Sequence, residues 1–130
     1  MVFKTVASSS KTVVDMTDAY TVALSNESVA IACDVAGTAL AGELGSGGKA
    51  TSSLAVYKGP IALTPVAAGA TPTVGQYKYV IGTAVGSTPL RLNDSTFYIN
   101  AVSADTGSLL VTIYLEGLLL SITKTLTWNK

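Results

Sequence analysis

Residues 109–128 read LLVTIYLEGLLLSITKTLTW and carry the clearest structural signal in the chain. Apolar and polar residues alternate in two runs, Leu109–Leu115 and Leu118–Trp128, and a period of two is typical of β-strands with one buried face. Glu116 and Gly117 separate the runs, and glycine readily adopts the positive φ that a two-residue hairpin turn needs. We therefore predict an antiparallel hairpin.

The alternation also predicts which side chains of this hairpin face the core. Val111, Ile113 and Leu115 share one face of the first strand. The corresponding apolar row of the second strand consists of Leu118, Leu120, Ile122, Leu126 and Trp128. Lys124 has the same parity and interrupts this row. A charged residue can be accommodated in this row in two ways: by a β-bulge that turns it outward, or by a side chain whose ammonium group reaches the rim of the core.

The rest of the chain has the same rhythm of short β-branched runs separated by Gly, Pro, Asn and Asp, which is typical of a sandwich or barrel. Further strands are predicted at Thr12–Met16, Tyr20–Leu24, Ser28–Cys33, Ser52–Lys58, Ile61–Thr64, Gln76–Val85 and Thr96–Val102. No segment predicts a helix. The fold class is therefore all-β.

Length and composition indicate one domain. The chain has 130 residues, of which only 12% are charged, and this suits a single core covered by strands. We expect a flexible lead-in over residues 1–11 and one β-sandwich domain over residues 12–130. Gly-rich residues 36–51 and the Ala/Pro-rich residues 65–75 are expected to be exposed connections.

Charge and hydropathy exclude several classes of partner. Eight basic and eight acidic residues cancel without clustering, so we expect no binding to nucleic acid. No stretch approaches the roughly 18 apolar residues of a membrane span, and the first residues do not resemble a signal peptide. The single cysteine, Cys33, is expected to be a buried, inert side chain.

The residues needed for most enzyme mechanisms are missing. The chain contains no histidine, which excludes Ser-His-Asp and Cys-His catalysis and imidazole-ligated metals. Asp15 and Asp18 are too few acids for a recognisable calcium loop. The segment Gly45–Ala50 fits a loose dinucleotide pattern, but a strand follows it where that motif needs a helix. We expect a protein that is not an enzyme and that holds no cofactor or metal.

Two aromatic residues suggest a binding surface. Tyr77 and Tyr79 share one strand face, and exposed aromatic rings commonly hold sugars. They are therefore the candidate glycan-binding residues. The alternative is that both lie at the edge of the core, whose interior would be filled by five other aromatic residues, Tyr57, Phe97, Tyr98, Tyr114 and Trp128.

Four segments resemble a known family, in the same order along the chain. They are Asp15–Ser28 (DMTDAYTVALSNES), Leu54–Gly59 (LAVYKG), Phe97–Ser108 (FYINAVSADTGS) and Ile122–Lys130 (ITKTLTWNK). Together they are similar to immunoglobulin-like modules within bacteriophage tail fibre and tail-tip host-specificity proteins. The chain departs from that pattern in its two loops and around Leu118–Leu120, so no functional residue is carried over.

The resemblance implies an immunoglobulin-like antiparallel β-sandwich, with a jelly roll as the alternative fold. It implies a structural module that serves as a spacer or attachment platform at the host-facing end of a virion. The partners would be other virion tail proteins, and a homotrimer is one form of assembly to expect. Such a protein is made in the host cytoplasm without a signal peptide, and a fibre segment would continue after Lys130. A carbohydrate-binding adhesion module that recognises a bacterial surface polysaccharide is the alternative function.

Overall fold

The computed structural model describes residues 19–130. The predicted lead-in, the predicted strand Thr12–Met16 and the pair Asp15 and Asp18 lie outside the described residues. Over residues 19–130 the chain forms strands and no helix, which confirms the all-β prediction. The strands are β1 (Tyr20–Leu24), β2 (Ser28–Ala30), β3 (Thr51–Lys58), β4 (Ile61–Ala62), β5 (Thr64–Pro65), β6 (Gln76–Val85), β7 (Ser87–Arg91), β8 (Thr96–Val102), β9 (Thr106–Leu115) and β10 (Ser121–Asn129).

The strands form two sheets that pack face to face. Sheet I has the order β1-β3-β8-β7, with β4 also paired to β3, and sheet II has the order β2-β10-β9-β6-β5. The pairs β2–β10 and β5–β6 are parallel and the others are antiparallel. After β1 the chain crosses from sheet I to sheet II, where it forms β2. Two five-stranded sheets packed face to face confirm the predicted β-sandwich, and the path β1-β3-β8-β7 opposite β6, β9 and β10 resembles the strand order of its immunoglobulin-like form.

The core lies between the two sheets and follows the predicted alternation. Val111, Ile113 and Leu115 of β9 all face inward and are buried. Leu126 and Trp128 of β10 are buried as well. The outward residues of the same strands are exposed or half-buried, so the period of two in the sequence is the period of burial in the fold.

The predicted two-residue hairpin turn is wrong. Strand β9 ends at Leu115 and β10 begins only at Ser121, so five residues connect them. The amide of Leu115 donates to the carbonyl of Leu120 (2.9 Å), which closes the loop. Leu118 and Leu120 therefore lie in the loop and are exposed, and their predicted place in the core row is also wrong.

Lys124 lies on the core-facing parity of β10, as predicted. It pairs with the fully buried Val111 in a β9–β10 register that is continuous from Ser121 to Asn129, so no bulge accommodates it. Its side chain is half-buried at the rim of the core. Long charged side chains can lie along apolar surface with the ammonium group in water.

Four short strands differ from the prediction, and the first of them, β2, ends at Ala30 and not at Cys33. The predicted strand Ile61–Thr64 is split between the sheets, because Ile61–Ala62 pairs with β3 and Thr64–Pro65 pairs with β6. Strand β7, which contains Pro89, was not predicted. It is the edge strand of sheet I, and its register shifts at Pro89, where an edge tolerates the missing N–H.

One glycine makes room for the single tryptophan. Gly107 of β9 lies opposite Trp128, and a Cβ atom on Gly107 would come within 2.0 Å of the Val85 carbonyl oxygen and 2.6 Å of the Trp128 ring. Real Cβ atoms do not approach other atoms so closely. Only glycine fits between the Trp128 ring and strand β6.

The Gly-rich segment is anchored by one carboxylate. Glu43 accepts a hydrogen bond from the Ala32 amide (2.8 Å) and lies 3.5 Å from the Lys49 ammonium. Strand β3 follows the segment directly. A dinucleotide-binding motif would need a helix at this place, and the sequence predicted a strand there. Cys33 is only partly buried; its thiol packs near the Ile31 carbonyl (3.7 Å) beside the core.

Candidate functional site

The two candidate glycan-binding tyrosines lie in the core. Tyr77 and Tyr79 share one face of β6, as predicted, but this face points between the sheets, and the residues are 2% and 0% exposed. Stacking on a sugar needs an accessible ring face. The structure therefore places no glycan platform on Tyr77 and Tyr79, because the hydrophobic gain of burying both rings orients them inward.

Tyr79 instead anchors the turn before β8. Its hydroxyl lies 2.7 Å from the Thr96 carbonyl oxygen and 2.9 Å from that of Asn93, and its single proton serves these two acceptors. The Arg91 guanidinium stacks 4.1 Å from the ring centroid and donates to the Tyr79 carbonyl (2.8 Å). Burial raises the pKa of Tyr79 to about 12, so the hydroxyl stays protonated as a donor.

The other aromatic residues divide between the core and the surface. Phe97 and Trp128 are buried, as expected for the interior. Tyr98 and Tyr114 are half-buried, with the Lys78 ammonium 5.6 Å from the Tyr114 ring. Tyr57 is 41% exposed on the outer side of sheet I, so the prediction that it fills the interior is wrong.

A partly buried carboxylate joins four segments at one pole of the sandwich. Glu116 in the β9–β10 loop accepts hydrogen bonds from the Tyr20 hydroxyl and the Gly75 amide (2.7 Å), and the Lys58 ammonium lies 3.4 Å away. These partners come from β1, from β3 and from the connection before β6. The Glu116 amide also donates to the Gln76 carbonyl (2.9 Å).

The contacts of Glu116 determine its ionisation. The hydrogen bond from Tyr20 is the main reason that the pKa of Glu116 is below its ordinary value; burial opposes this, and the Gly75 and Lys58 donors add to it. The same hydrogen bond, with burial, raises the pKa of Tyr20. At neutral pH the pair is therefore an ionised carboxylate and a protonated phenol, which is a structural pairing and not a poised acid and base.

Glu116 is also the one described non-glycine residue with a positive φ, at 54°. This left-handed conformation costs a non-glycine residue roughly 1–2 kcal/mol. The three donors around the carboxylate offset that cost. Asp34, by contrast, caps a turn by accepting from the amides of Ala36 (2.9 Å) and Thr38 (3.0 Å). The role of Glu116 was missed because Tyr20 lies 96 residues away in sequence.

Exposed apolar side chains surround this network. The residues before β6 and the β9–β10 loop meet at Glu116, and both present large apolar groups to solvent. We call this surface the apolar pole and define it by Ile61, Val74, Leu118, Leu119 and Leu120. Leu119 is 104% exposed, so none of its surface is covered by the described chain. A cleft of about 320 Å³ lies between Ile61, Val74 and Glu116.

The opposite pole is where β10 ends. The Lys130 ammonium donates to the Gly37 carbonyl (3.0 Å) and lies 4.0 Å from the Asp105 carboxylate. A cleft of about 350 Å³ borders Lys130, Thr38 and Asn100. Lys130 therefore joins the end of β10 to the Gly-rich segment and to the turn before β9.

The described residues form neither a cluster of metal ligands nor a membrane-spanning helix. Over residues 19–130, no three His, Cys, Asp or Glu side chains are grouped so that they could hold a metal ion. In the same part of the chain, no helix is long and apolar enough to cross a membrane. Comparison of the chain with protein-family models, curated proteins and solved structures gave no match.

Proposed function

We propose that this chain is a structural module of a bacteriophage tail fibre or tail-tip protein, where it acts as a spacer or attachment platform at the host-facing end of the virion. The observation that carries the proposal is the position of its first and last described strands. Strand β1 begins at one pole of the sandwich and β10 ends at the other.

The contacts of the two strands define these poles. Tyr20, the first residue of β1, binds Glu116 in the loop at the apolar pole. The amide of Lys130, directly after β10, donates to the Asp105 carbonyl next to the start of β9 (2.9 Å). Strand β9 spans the distance between the poles in ten residues, which is roughly 30 Å at 3.4 Å per residue. A chain that enters at one pole and leaves at the other adds this length to an elongated assembly.

The apolar pole supports the role of an attachment platform. Its five exposed apolar residues lie on strand β4, on the connection before β6 and on the β9–β10 loop, and Glu116 links this connection to this loop. Rigidly held apolar groups are suited to bind a second protein, because little conformational entropy is lost when they are covered. Other tail proteins, or two further copies in a trimer, are the partners that this role would need.

The location can be tested on phage particles that encode the sequence. Immunogold labelling with antibodies against the purified chain should place the gold at the tail fibre or tail tip. Particles without label, with the protein found only in the cell lysate, would contradict the virion role. Sedimentation of the purified chain would separate a monomeric spacer from a trimeric one.

A carbohydrate-binding role is the second candidate, and one observation favours it. Tyr57 is exposed beside a shallow cleft of about 270 Å³ that also borders Ala62, Pro65 and Ser95. Binding of the purified chain to whole bacterial cells and to a panel of surface polysaccharides tests this role. Saturable binding that free polysaccharide competes, and that Tyr57→Ala removes while Tyr114→Ala on sheet II does not, would favour adhesion. A stable chain that retains no polysaccharide would favour the spacer.

A further inference from the structure

The edge of sheet II is only partly covered by the described chain. Strand β10 pairs with β9 along its whole length, from Ser121 to Asn129, but β2 pairs only with Thr127–Asn129. No other strand within residues 19–130 pairs with Ser121–Leu126. We call this segment the open edge. It is six residues long, which is about a typical strand length.

The hydrogen-bond pattern shows which groups face outward there. The Leu120 carbonyl and the Lys130 amide, both at even positions, bond to the β9 side. The Thr127 amide and the Asn129 carbonyl, both at odd positions, bond to the β2 side. Because the register is continuous, this alternation holds along β10. The N–H and C=O groups of Ser121, Thr123 and Thr125 therefore point away from β9, toward the open edge.

The side chains at the open edge are incompletely covered as well. Ile122 and Lys124 face the core side of sheet II, yet both are only half-buried. Lys124 forms no ion pair with another residue in the described part of the chain. An inward-facing charge is one of the devices by which proteins discourage unselective pairing at a sheet edge.

We propose that the open edge receives an extended segment of a partner protein, which adds to sheet II as a further strand and carries an acidic residue opposite Lys124. Main-chain bonds to Ser121, Thr123 and Thr125 would supply the attachment. Apolar side chains of the added strand would cover Ile122 and extend the core. Such strand addition derives its affinity from the backbone and its specificity from alternate side chains. The inference does not depend on a virion setting.

The charge of Lys124 decides against a second copy as the occupant. Antiparallel pairing of two β10 edges centred on Thr123 would make the two Lys124 side chains diagonal neighbours, and pairing centred on Lys124 would place them directly opposite each other; like charges across strands are destabilising. An acidic residue at that position would instead neutralise the ammonium group. The partner is therefore an extended, alternating polar and apolar segment with one carboxylate on its inward face.

Amide exchange of the full chain by NMR tests whether the edge is open. The amides of Ser121, Thr123 and Thr125 should exchange at least ~100-fold faster than those of Ile122 and Lys124, which bond to β9. Slow exchange of the odd amides at every protein concentration would mean that the chain itself covers the edge. Slow exchange only at high concentration would mean that a second copy does. Either result overturns the proposal.

Two synthetic peptides test the occupant. The first is Thr-Val-Thr-Asp-Thr-Val-Thr, and the second has Lys in place of Asp. The Asp peptide should slow the exchange of the Thr123 and Thr125 amides and should bind about tenfold more tightly than the Lys peptide. Lys124→Glu should reverse this preference, whereas Lys78→Glu, on the outer face of β6, should not change it. Failure of both peptides to protect these amides overturns strand addition, and equal binding of the two overturns the acidic partner.

Discussion

Glu116→Gln should destabilise the fold although it keeps the size of the side chain. The carboxylate accepts from the Tyr20 hydroxyl and Lys58 with one oxygen and from the Gly75 amide with the other. A glutamine can present its carbonyl oxygen to only one of these sides, and its NH₂ group then faces a donor on the other. One partly buried donor loses its acceptor, and the Lys58 ammonium loses its counter-charge.

The expected loss in the free energy of unfolding is about 2 kcal/mol at pH 7, because hydrogen bonds to charged groups contribute roughly 1.5–3 kcal/mol. For a domain of this size such a loss lowers Tm by about 5–10 °C. The strained φ of Glu116 is retained by glutamine, so no relief of strain offsets the loss. Glu27→Gln is the matched control, since Glu27 is exposed and should change Tm by less than about 1 °C.

The difference in the free energy of unfolding between the unchanged protein and Glu116→Gln should depend on pH. The pKa of Glu116 in the folded protein is below the ordinary value of 4.5, so the folded state favours the ionised form. This contribution is complete above pH 4.5 and is lost as the pH falls through the folded pKa. Glu116→Gln lacks it at every pH. The two unfolding free energies should therefore converge in acid.

Urea unfolding at pH 7 and pH 3, followed by the fluorescence of the buried Trp128, measures both quantities. The chain has one tryptophan, so the signal reports a single site in the core. A loss below about 0.5 kcal/mol at pH 7 would refute the argument that Glu116 joins the loops. A difference that is equally large at pH 3 would refute its electrostatic origin.

Five further substitutions, two of them controls, test the packing. Gly107→Ala should destabilise by more than about 3 kcal/mol in urea, or prevent folding, because its Cβ has no space, whereas Gly69→Ala, with nothing within 4 Å, should be close to neutral. Tyr79→Phe should cost about 1–3 kcal/mol by removing the buried donor to the Thr96 turn, and ultraviolet titration of the native protein should lose the transition near pH 12. Leu126→Ala should cost about 2–5 kcal/mol and Leu119→Ala less than about 0.5 kcal/mol, since the first is buried and the second exposed. Equal effects within either matched pair would contradict the burial described above.

Local sequence predicted the strands well where alternation was regular. Tyr20–Leu24, Gln76–Val85 and Thr96–Val102 have the predicted bounds, and the core parity of β9 is as expected. Lys124 was also placed on the correct face. These features follow from the period of two, which is a property of consecutive residues and needs no knowledge of the partner strand.

Only the tertiary structure decided what each face meets. Alternation placed Tyr77 and Tyr79 on one face of their strand. Whether that face is exposed to solvent or packs in the core depends on the opposing sheet, and in the structure it packs in the core. The long β9–β10 loop results from contacts of Glu116 with residues far away in sequence. The open edge of β10 exists because β2 is short, which no pattern within β10 can reveal. The sequence by itself therefore determined an all-β chain with defined strand faces. The Glu116 network and the open edge of β10 were decided only by the tertiary structure, because hydrogen bonds and burial join residues that are distant along the chain.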